Sequence, residues 1–250
     1  PSTFIWCMGG TQHTVGTANV RAYCNLLLAT GNVGVFGGGA NIFRGYCNVQ
    51  GATDLGLDIT SLPLYYGLVE GAWKHWARVW EVDYDYFQSR FDEVPAKAGR
   101  PARTRKQNME LPGIPWTRWF DATLANPDDV DQRDAVKGVF VMGHGGNTIP
   151  RMTEMAKGLE KLELLVVADP HPTTFAALSE RKNGTYLLPA CTQFETSGSR
   201  TASNRSLQWG EQVVKPIFES KDDYEIIYRI AEKLGFADKM FKNIKVENKR

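Results

Sequence analysis

The residues best equipped for chemistry sit in loops that follow short apolar runs. Met8-Gly9-Gly10-Thr11-Gln12 is the first of these. Its glycines let backbone N–H groups approach phosphate oxygens, and a following helix adds the partial positive charge of its N-terminus. The pattern is neither GxGxxG nor a P-loop, because no Lys follows in place. Taken alone it is a weak signal, and a plain tight turn is the more common reading. Gly143-His144-Gly145-Gly146-Asn147-Thr148 is again glycine-rich and offers an amide and a hydroxyl. Asp169-Pro170-His171-Pro172-Thr173-Thr174 presents an acid that can accept two hydrogen bonds from ribose hydroxyls or a guanine edge. Its alternative role is N-cap of the next helix. Three such loops together favour a nucleotide-like ligand. Arg44, in Asn41-Ile42-Phe43-Arg44-Gly45-Tyr46, carries a planar, always charged fork that fits a carboxylate with two hydrogen bonds. The alternatives are a surface arginine or a structural ion pair.

The elements that must position these loops alternate between apolar strands and helices. Residues 3–8 read as a strand ending at Gly9-Gly10. Residues 15–29 read as a helix, with Val15, Ala18, Ala22, Leu26 and Ala29 at helical spacing and Gly31-Asn32 as its stop. A glycine-rich loop covers 34–39, and 40–56 reads as an irregular but ordered stretch. An aromatic-rich helix is expected over 68–80, and the pattern weakens from about 82 to 133. Residues 97–106 carry five basic side chains and no acid, which reads as a solvated loop. Strands are then expected over 138–142, 162–168 and 185–188, with helices over 149–159 and 173–181. A strong helix over 222–234 is stopped by Gly235. This alternation implies βαβ units: an α/β fold of Rossmann-like αβα layers with mainly parallel, doubly covered sheets.

Composition excludes several classes. In 250 residues, 29 Lys+Arg stand against 28 Asp+Glu, a net charge of +1, so electrostatic capture of nucleic acid or an acidic membrane is not expected. No apolar run is long enough for a membrane span, which needs about 18 residues. The four cysteines, Cys7, Cys24, Cys47 and Cys191, include no CxxC spacing and read as small buried hydrophobes, and no metal ligand is assigned. The chain opens on Pro-Ser-Thr-Phe, with no initiator Met and no signal peptide.

Several stretches together resemble the catalytic subunit of molybdenum- or tungsten-dependent formate dehydrogenases, of the molybdopterin oxidoreductase (dimethyl sulfoxide reductase) family. They are Cys-Met-Gly-Gly-Thr-Gln-His at 7–13, Thr-Gly-Asn-Val-Gly at 30–34, and Asn-Ile-Phe-Arg-Gly-Tyr-Cys-Asn-Val-Gln-Gly-Ala-Thr-Asp-Leu-Gly at 41–56. Val-Val-Ala-Asp at 166–169, Leu-Leu-Pro-Ala-Cys-Thr-Gln-Phe-Glu-Thr-Ser-Gly at 187–198 and Lys221-Asp222 also fit. The likeness is weakest over 73–136. Arg-Gly-x-x-Asn-Val-Gln-Gly is its most specific part; nitrate reductases of the family lack this arginine.

The resemblance implies portions of two interleaved pterin-dinucleotide-binding domains, 1–46 belonging to one and 47–250 to the other, with an irregular insert at about 82–133. It implies that Met8, Gly9 and Gln12 contact a pyranopterin guanine dinucleotide and that Asn147, Asp169 and Asp222 hold the second nucleotide arm. At Asn147 this chain has Gly-Gly-Asn-Thr where relatives often have Asn-Pro or Asp-Pro. Arg44 matches the active-site arginine that faces formate; two residues on, relatives often carry Gln or His where this chain has Tyr46. The implied cofactor is a bis-molybdopterin guanine dinucleotide with Mo or W. The implied partners are formate, the remainder of the same subunit and an iron–sulfur electron-transfer subunit, with no nucleic acid and no direct membrane span. The family's Cys-His or selenocysteine-His pair, its [4Fe–4S] cysteine cluster and its C-terminal β-barrel have no counterpart here, so the chain reads as an internal segment that oxidises no formate alone. Relatives work in the cytoplasm or facing the periplasm, with the periplasm favoured by the 73–136 stretch. Two other readings stay open: a family member acting on another small substrate, and a nucleotide-binding module without catalysis.

Overall fold

The computed structural model describes every residue except Arg44, Ala98, Asp128, Asp131, Arg133, Ser203 and residues 243–250. In chain order the elements are β1 (Thr3–Trp6), α1 (Met8–Thr11), α2 (Gly16–Ala29), β2 (Gly39–Ile42), α3 (Val49–Asp54), β3 (Ser61–Leu62), β4 (Tyr66–Gly67), α4 (Glu70–Val79), α5 (Tyr84–Ser89), α6 (Arg105–Met109) and α7 (Asp121–Leu124). They continue with β5 (Gly138–Met142), α8 (Met152–Lys161), β6 (Leu164–Asp169), α9 (Thr174–Ala177), β7 (Tyr186–Pro189), β8 (Gly198–Thr201), β9 (Leu207–Gly210), α10 (Asp223–Lys233) and α11 (Ala237–Met240). The chain divides into two compact units. The first is Pro1–Trp73 with Gly198–Gly210, and the second is Lys74–Ser197 with Glu211–Arg250.

In the first unit, β1 and β2 pair in parallel from Thr3↔Gly39 to Trp6↔Ile42, with α2 as the crossover. The apolar stripe Val15, Ala18, Ala22, Leu26 and Ala29 is exposed. The helix buries Gly16 and Leu27 instead, and its Tyr23 ring packs beside Phe4 and Trp6. Gly16 is demanded by a close approach: a Cβ there would lie 2.0 Å from the carbonyl oxygen of Thr11. Within the stretch expected to be irregular, residues 40–42 belong to β2 and 49–54 form α3. That helix needs no apolar period, because its polar groups bond locally: buried Gln50 donates to Asp54 Oδ1 at 3.1 Å and to the Tyr65 hydroxyl. The antiparallel hairpin β8–β9, which sequence pattern does not reveal, joins this unit. Thr201 N donates to Asn48 Oδ1 at 2.9 Å, and the Arg205 guanidinium lies over Tyr65 at 5.0 Å.

The second unit is built on the parallel sheet β5-β6-β7. Its strands are the continuous apolar runs expected of a parallel sheet. Val141, Leu165 and Val167 face a core completed by Phe120, Ile149, Met155, Leu159, Leu162 and Phe175. Burying a side chain such as Leu159 or Leu165 contributes about 1.5–3 kcal/mol. On the other face, Ala168 and Leu188 pack with Ala190 against Ile226 and Ile230 of α10. That second cover is partial, because Phe140, Met142 and Tyr186 on the same face are exposed. The α/β class with mainly parallel pairing holds, while complete double cover does not.

Two helices differ from their expected spans for physical reasons. Helix α8 starts only at Met152, because Pro150 and Arg151, left-handed at φ 64, delay it. Helix α9 stops at Ala177 rather than 181, and the freed turn delivers Arg181. That guanidinium donates to the carbonyls of Leu159, Leu162 (2.8 Å) and Gly184 (2.9 Å), satisfying groups that a helix end leaves unpaired. The basic stretch 97–106 is a hydrogen-bonded loop with bridges Val94↔Arg103 and Lys97↔Arg100, leading into α6 through a Thr104–Gln107 capping box. Among the described residues no helix is long and apolar enough to cross a membrane. Of the cysteines expected to be buried, Cys24 and Cys47 are exposed, because the helix and loop faces that carry them point away from the packing.

Candidate cofactor site at the strand ends

In parallel sheets, ligands gather beyond the carboxyl ends of the strands. In the first unit the loops after β1 and β2 approach each other there. Phe43 N donates to Trp6 O at 3.0 Å, carrying the pairing one residue past β2. Arg44 follows and lies outside the described residues. At Gly45, a Cβ would sit 3.4 Å from the Met8 methyl. Met8 is therefore held beside the loop that carries Arg44. His13 Nε2 contacts Gly9 O at 2.7 Å and Asn19 Nδ2 donates to Gly10 O at 3.2 Å, bracing the glycine turn. Gly9 has open space where a side chain would project, room that a bound group could use. Gln12 is exposed just after α1, its backbone N–H on Met8 O at 2.8 Å. A cleft of about 360 Å³ adjoins, lined by Tyr46, Cys47, Asn48, Arg200, Thr201 and Gln208 among others. The β8–β9 residues of this cleft come from a distant part of the chain, and no sequence signal placed them here.

In the second unit the loops after β5, β6 and β7 are tied to one another. Gly143 N donates to Ala168 O at 3.0 Å and Thr174 N to Gly145 O at 3.0 Å. Gly146 N donates to His144 Nδ1 at 2.9 Å, which makes that ring nitrogen an acceptor and puts the ring proton on Nε2. The imidazole packs beside Trp116 and Phe175. Gly146 has φ +81, and a Cβ there would come within 2.6 Å of the Phe175 ring. Asn147 follows on this fixed turn and is exposed.

Asp169 ends β6 and accepts from His171 N at 3.0 Å, an Asx turn. It is not the cap of α9, whose N-cap position is Thr173. The segment at Lys221 runs beside the end of β7: Ala190 and Lys221 bridge in parallel, Cys191 N donates to Lys221 O at 2.8 Å, and Lys221 N to Pro189 O at 3.0 Å. This pairing brings Asp222 to the carboxyl edge. There it caps α10 through Tyr224 N at 3.0 Å and accepts from the Thr196 hydroxyl. Although Asp223 as a residue is exposed, burial raises its carboxyl above the usual carboxylate range, and Asp222 and Asp169 add to the effect. The edge thus carries the carboxylates of Asp169, Asp222 and Asp223. It suits N–H and O–H donors such as a guanine edge or ribose hydroxyls, and the carboxylates of Asp169 and Asp222 keep lone pairs to receive them.

The structure thus places Met8, Gly9 and Gln12 at one strand-end site and Asn147, Asp169 and Asp222 at another, each within its own unit. Sequence reasoning missed Glu195. It is only 5% exposed and accepts from Thr192 N at 2.7 Å and Ile217 N at 2.8 Å. The N–H of Thr192, then the Thr192 side chain and the N–H of Ile217, hold its carboxyl below the ordinary range. It lies in the 187–198 stretch that carries the resemblance, but its residue type alone does not announce the backbone groups it binds. Among the described residues no cluster of His, Cys, Asp and Glu is arranged to hold a metal ion.

Residues 1–233 match the family described as molybdopterin oxidoreductase. The chain is similar to the F420-dependent formate dehydrogenase subunit alpha of Methanocaldococcus jannaschii, 32% identical over 251 residues that cover 99% of this chain and 31% of that protein. It is similar to formate dehydrogenase 2 subunit alpha (cytochrome c-553) of Nitratidesulfovibrio vulgaris, 29% identical over 86% of this chain and 23% of that protein. The nitrate-inducible formate dehydrogenase major subunit of Escherichia coli is 29% identical over 90% of this chain and 25% of its own length. The chain spans about a third or less of each of these relatives. The family match runs from the first residue to the end of α10, through both strand-end sites, and the chain belongs to the molybdopterin oxidoreductase family.

Proposed function

We propose that this chain is a segment of the catalytic subunit of a formate dehydrogenase, in which formate is oxidised to CO2 at a Mo or W site. The observation that carries the reading is the likeness over 99% of the chain to a formate dehydrogenase alpha subunit; the resemblance implies that Arg44 faces formate. In the balanced reaction the formate C–H bond breaks and CO2, one proton and two electrons leave. The metal with its pterins supplies the two-electron chemistry. This chain's part is to bind and orient. Arg44 holds the formate carboxylate through its planar fork and stabilises charge as it redistributes. Met8 lies against Gly45, which brings the loops after β1 and β2 together, and Met8, Gly9 and Gln12 would contact a pterin guanine dinucleotide.

The cofactor we propose is a bis-molybdopterin guanine dinucleotide. The carboxylates of Asp169 and Asp222 support it, because guanine offers N–H donors and a ribose offers hydroxyls. Residues 1–46 and 47–250 are then proposed as portions of two interleaved dinucleotide-binding domains. A [4Fe–4S] cluster elsewhere in the subunit and an iron–sulfur partner subunit would carry the electrons onward, with the periplasm as the proposed compartment. The test uses the full-length protein: metal and guanine nucleotide content, then steady-state rates with formate against nitrate. Mo or W with guanine nucleotide and a formate-specific rate is the expected result. A loaded enzyme that turns over nitrate and leaves formate untouched would sink the proposal.

A further inference from the structure

We infer that Glu195 is a positioning residue for the nucleotide subsite, acting through Thr196 on Asp222; the inference rests on the proposed dinucleotide site. A buried carboxylate is costly unless it is hydrogen-bonded. Glu195 meets that cost with backbone N–H groups from two different turns. One oxygen accepts from Thr192 N at 2.7 Å and the other from Ile217 N at 2.8 Å. No cation among the described residues pairs with it, so its charge is spent on fixing backbone. The first turn, 192–195, is closed by Glu195 N on Thr192 O at 3.0 Å and leads into Thr196. The second is closed by Ser220 N on Ile217 O at 3.1 Å and by the Ser220 hydroxyl on the same oxygen at 2.7 Å, and leads into Asp222.

The two turns meet again just beyond their ends, one residue past the first and two past the second. The Thr196 hydroxyl donates to Asp222 Oδ2, while Asp222 Oδ1 takes the α10 cap bond from Tyr224 N. Both oxygens of Asp222 are then fixed by one donor each. A carboxylate offers about four lone-pair sites, so about two remain, with directions set by Thr196 and the cap. Glu195 holds the hydroxyl and the carboxylate in one frame, and Asp222 meets its ligand preorganised.

The test is made in the full-length enzyme with Thr196→Val, Thr196→Ser and Glu195→Gln. The readout is guanine nucleotide retained per subunit after extensive dialysis, measured beside the thermal midpoint. Losing a hydrogen bond to a charged group predicts about tenfold weaker retention for Thr196→Val, rescued by Thr196→Ser, which keeps the hydroxyl. Glu195→Gln, with one carboxylate acceptor replaced by an NH2 donor facing an N–H, should follow Thr196→Val. A purely structural role would lower the thermal midpoint of Thr196→Val and leave retention at the wild-type level, which overturns the inference alone. Wild-type enzyme without guanine nucleotide overturns the proposed function and this inference together.

Discussion

The first unit gathers Met8, Gly9 and Gly45 beyond β1 and β2, beside a cleft that carries Arg200, and Arg44 stands next to Gly45 in the chain. The second unit gathers Asp169, Asp222 and Asp223 beyond β6 and β7. On the proposed function the two strand-end sites carry opposite charge, Arg44 in the first and Asp169 and Asp222 in the second. Guanidinium groups suit a small anion whose charge shifts during reaction. Carboxylates suit the donor edge of a base and the hydroxyls of a sugar. On the proposed function the comparison divides the labour: the first strand-end site adds the formate-facing Arg44 to its pterin contacts, and the second holds a nucleotide arm.

The largest effect should come from the arginine side. Arg44→Ala in the full-length enzyme should lower kcat/KM for formate by about 10²–10³, the usual cost of removing a charge-stabilising donor. Guanine nucleotide content, measured on the same samples, then tells whether the loss lies in chemistry or in loading. A rate within twofold of wild type would break the comparison. Next comes Gly146→Ala at the nucleotide side. Its φ of +81 and the 2.6 Å approach to Phe175 predict a loss of about 2–3 kcal/mol, seen as a lower thermal midpoint with weaker nucleotide retention.

Arg181 lies at the amino ends of β6 and β7, and its recorded partners are all carbonyl oxygens. Arg181→Met should cost about 1–3 kcal/mol of stability and leave nucleotide retention unchanged, separating a charge used for structure from charges kept for a ligand. Smallest is Asp223. Its folded-state pKa is raised, so its ionised form costs stability at neutral pH. That cost is absent below the unfolded carboxylate value of about 3.9 and develops as pH rises through the folded value. Asp223→Asn should therefore stabilise the protein at pH 7, by under about 1 kcal/mol given solvent screening, and the gain should vanish in melts at pH 3.5.

Much of the second unit was legible in the sequence. Strands β5, β6 and β7 are continuous apolar runs, and α10 carries its own cap at Asp222 and its stop at Gly235, which has φ +78. The non-local features were not legible. Thr201 bonds Asn48 across 153 positions, and nothing in either segment alone announces the pairing. Helix α2 has apolar side chains on more than one face, so its spacing did not tell which one packs: Leu27 is buried and Leu26 is 48% exposed. Helix α9 ended early because Arg181 was needed at the carbonyls of α8, a tertiary demand that outweighs local pattern. At the site, strand-end logic found Asp169, and the family resemblance supplied the roles of Met8 and Asp222. Glu195 lies within the 187–198 stretch that carries the resemblance but was given no role, because its partners are backbone groups that leave no trace in residue types.

The central claim is tested most directly by supplying formate as sole electron donor to the full-length, metal-loaded enzyme with a one-electron dye as acceptor. The account predicts two dye molecules reduced for each CO2 released. Enzyme loaded with metal and guanine nucleotide that reduces no dye with formate would contradict it.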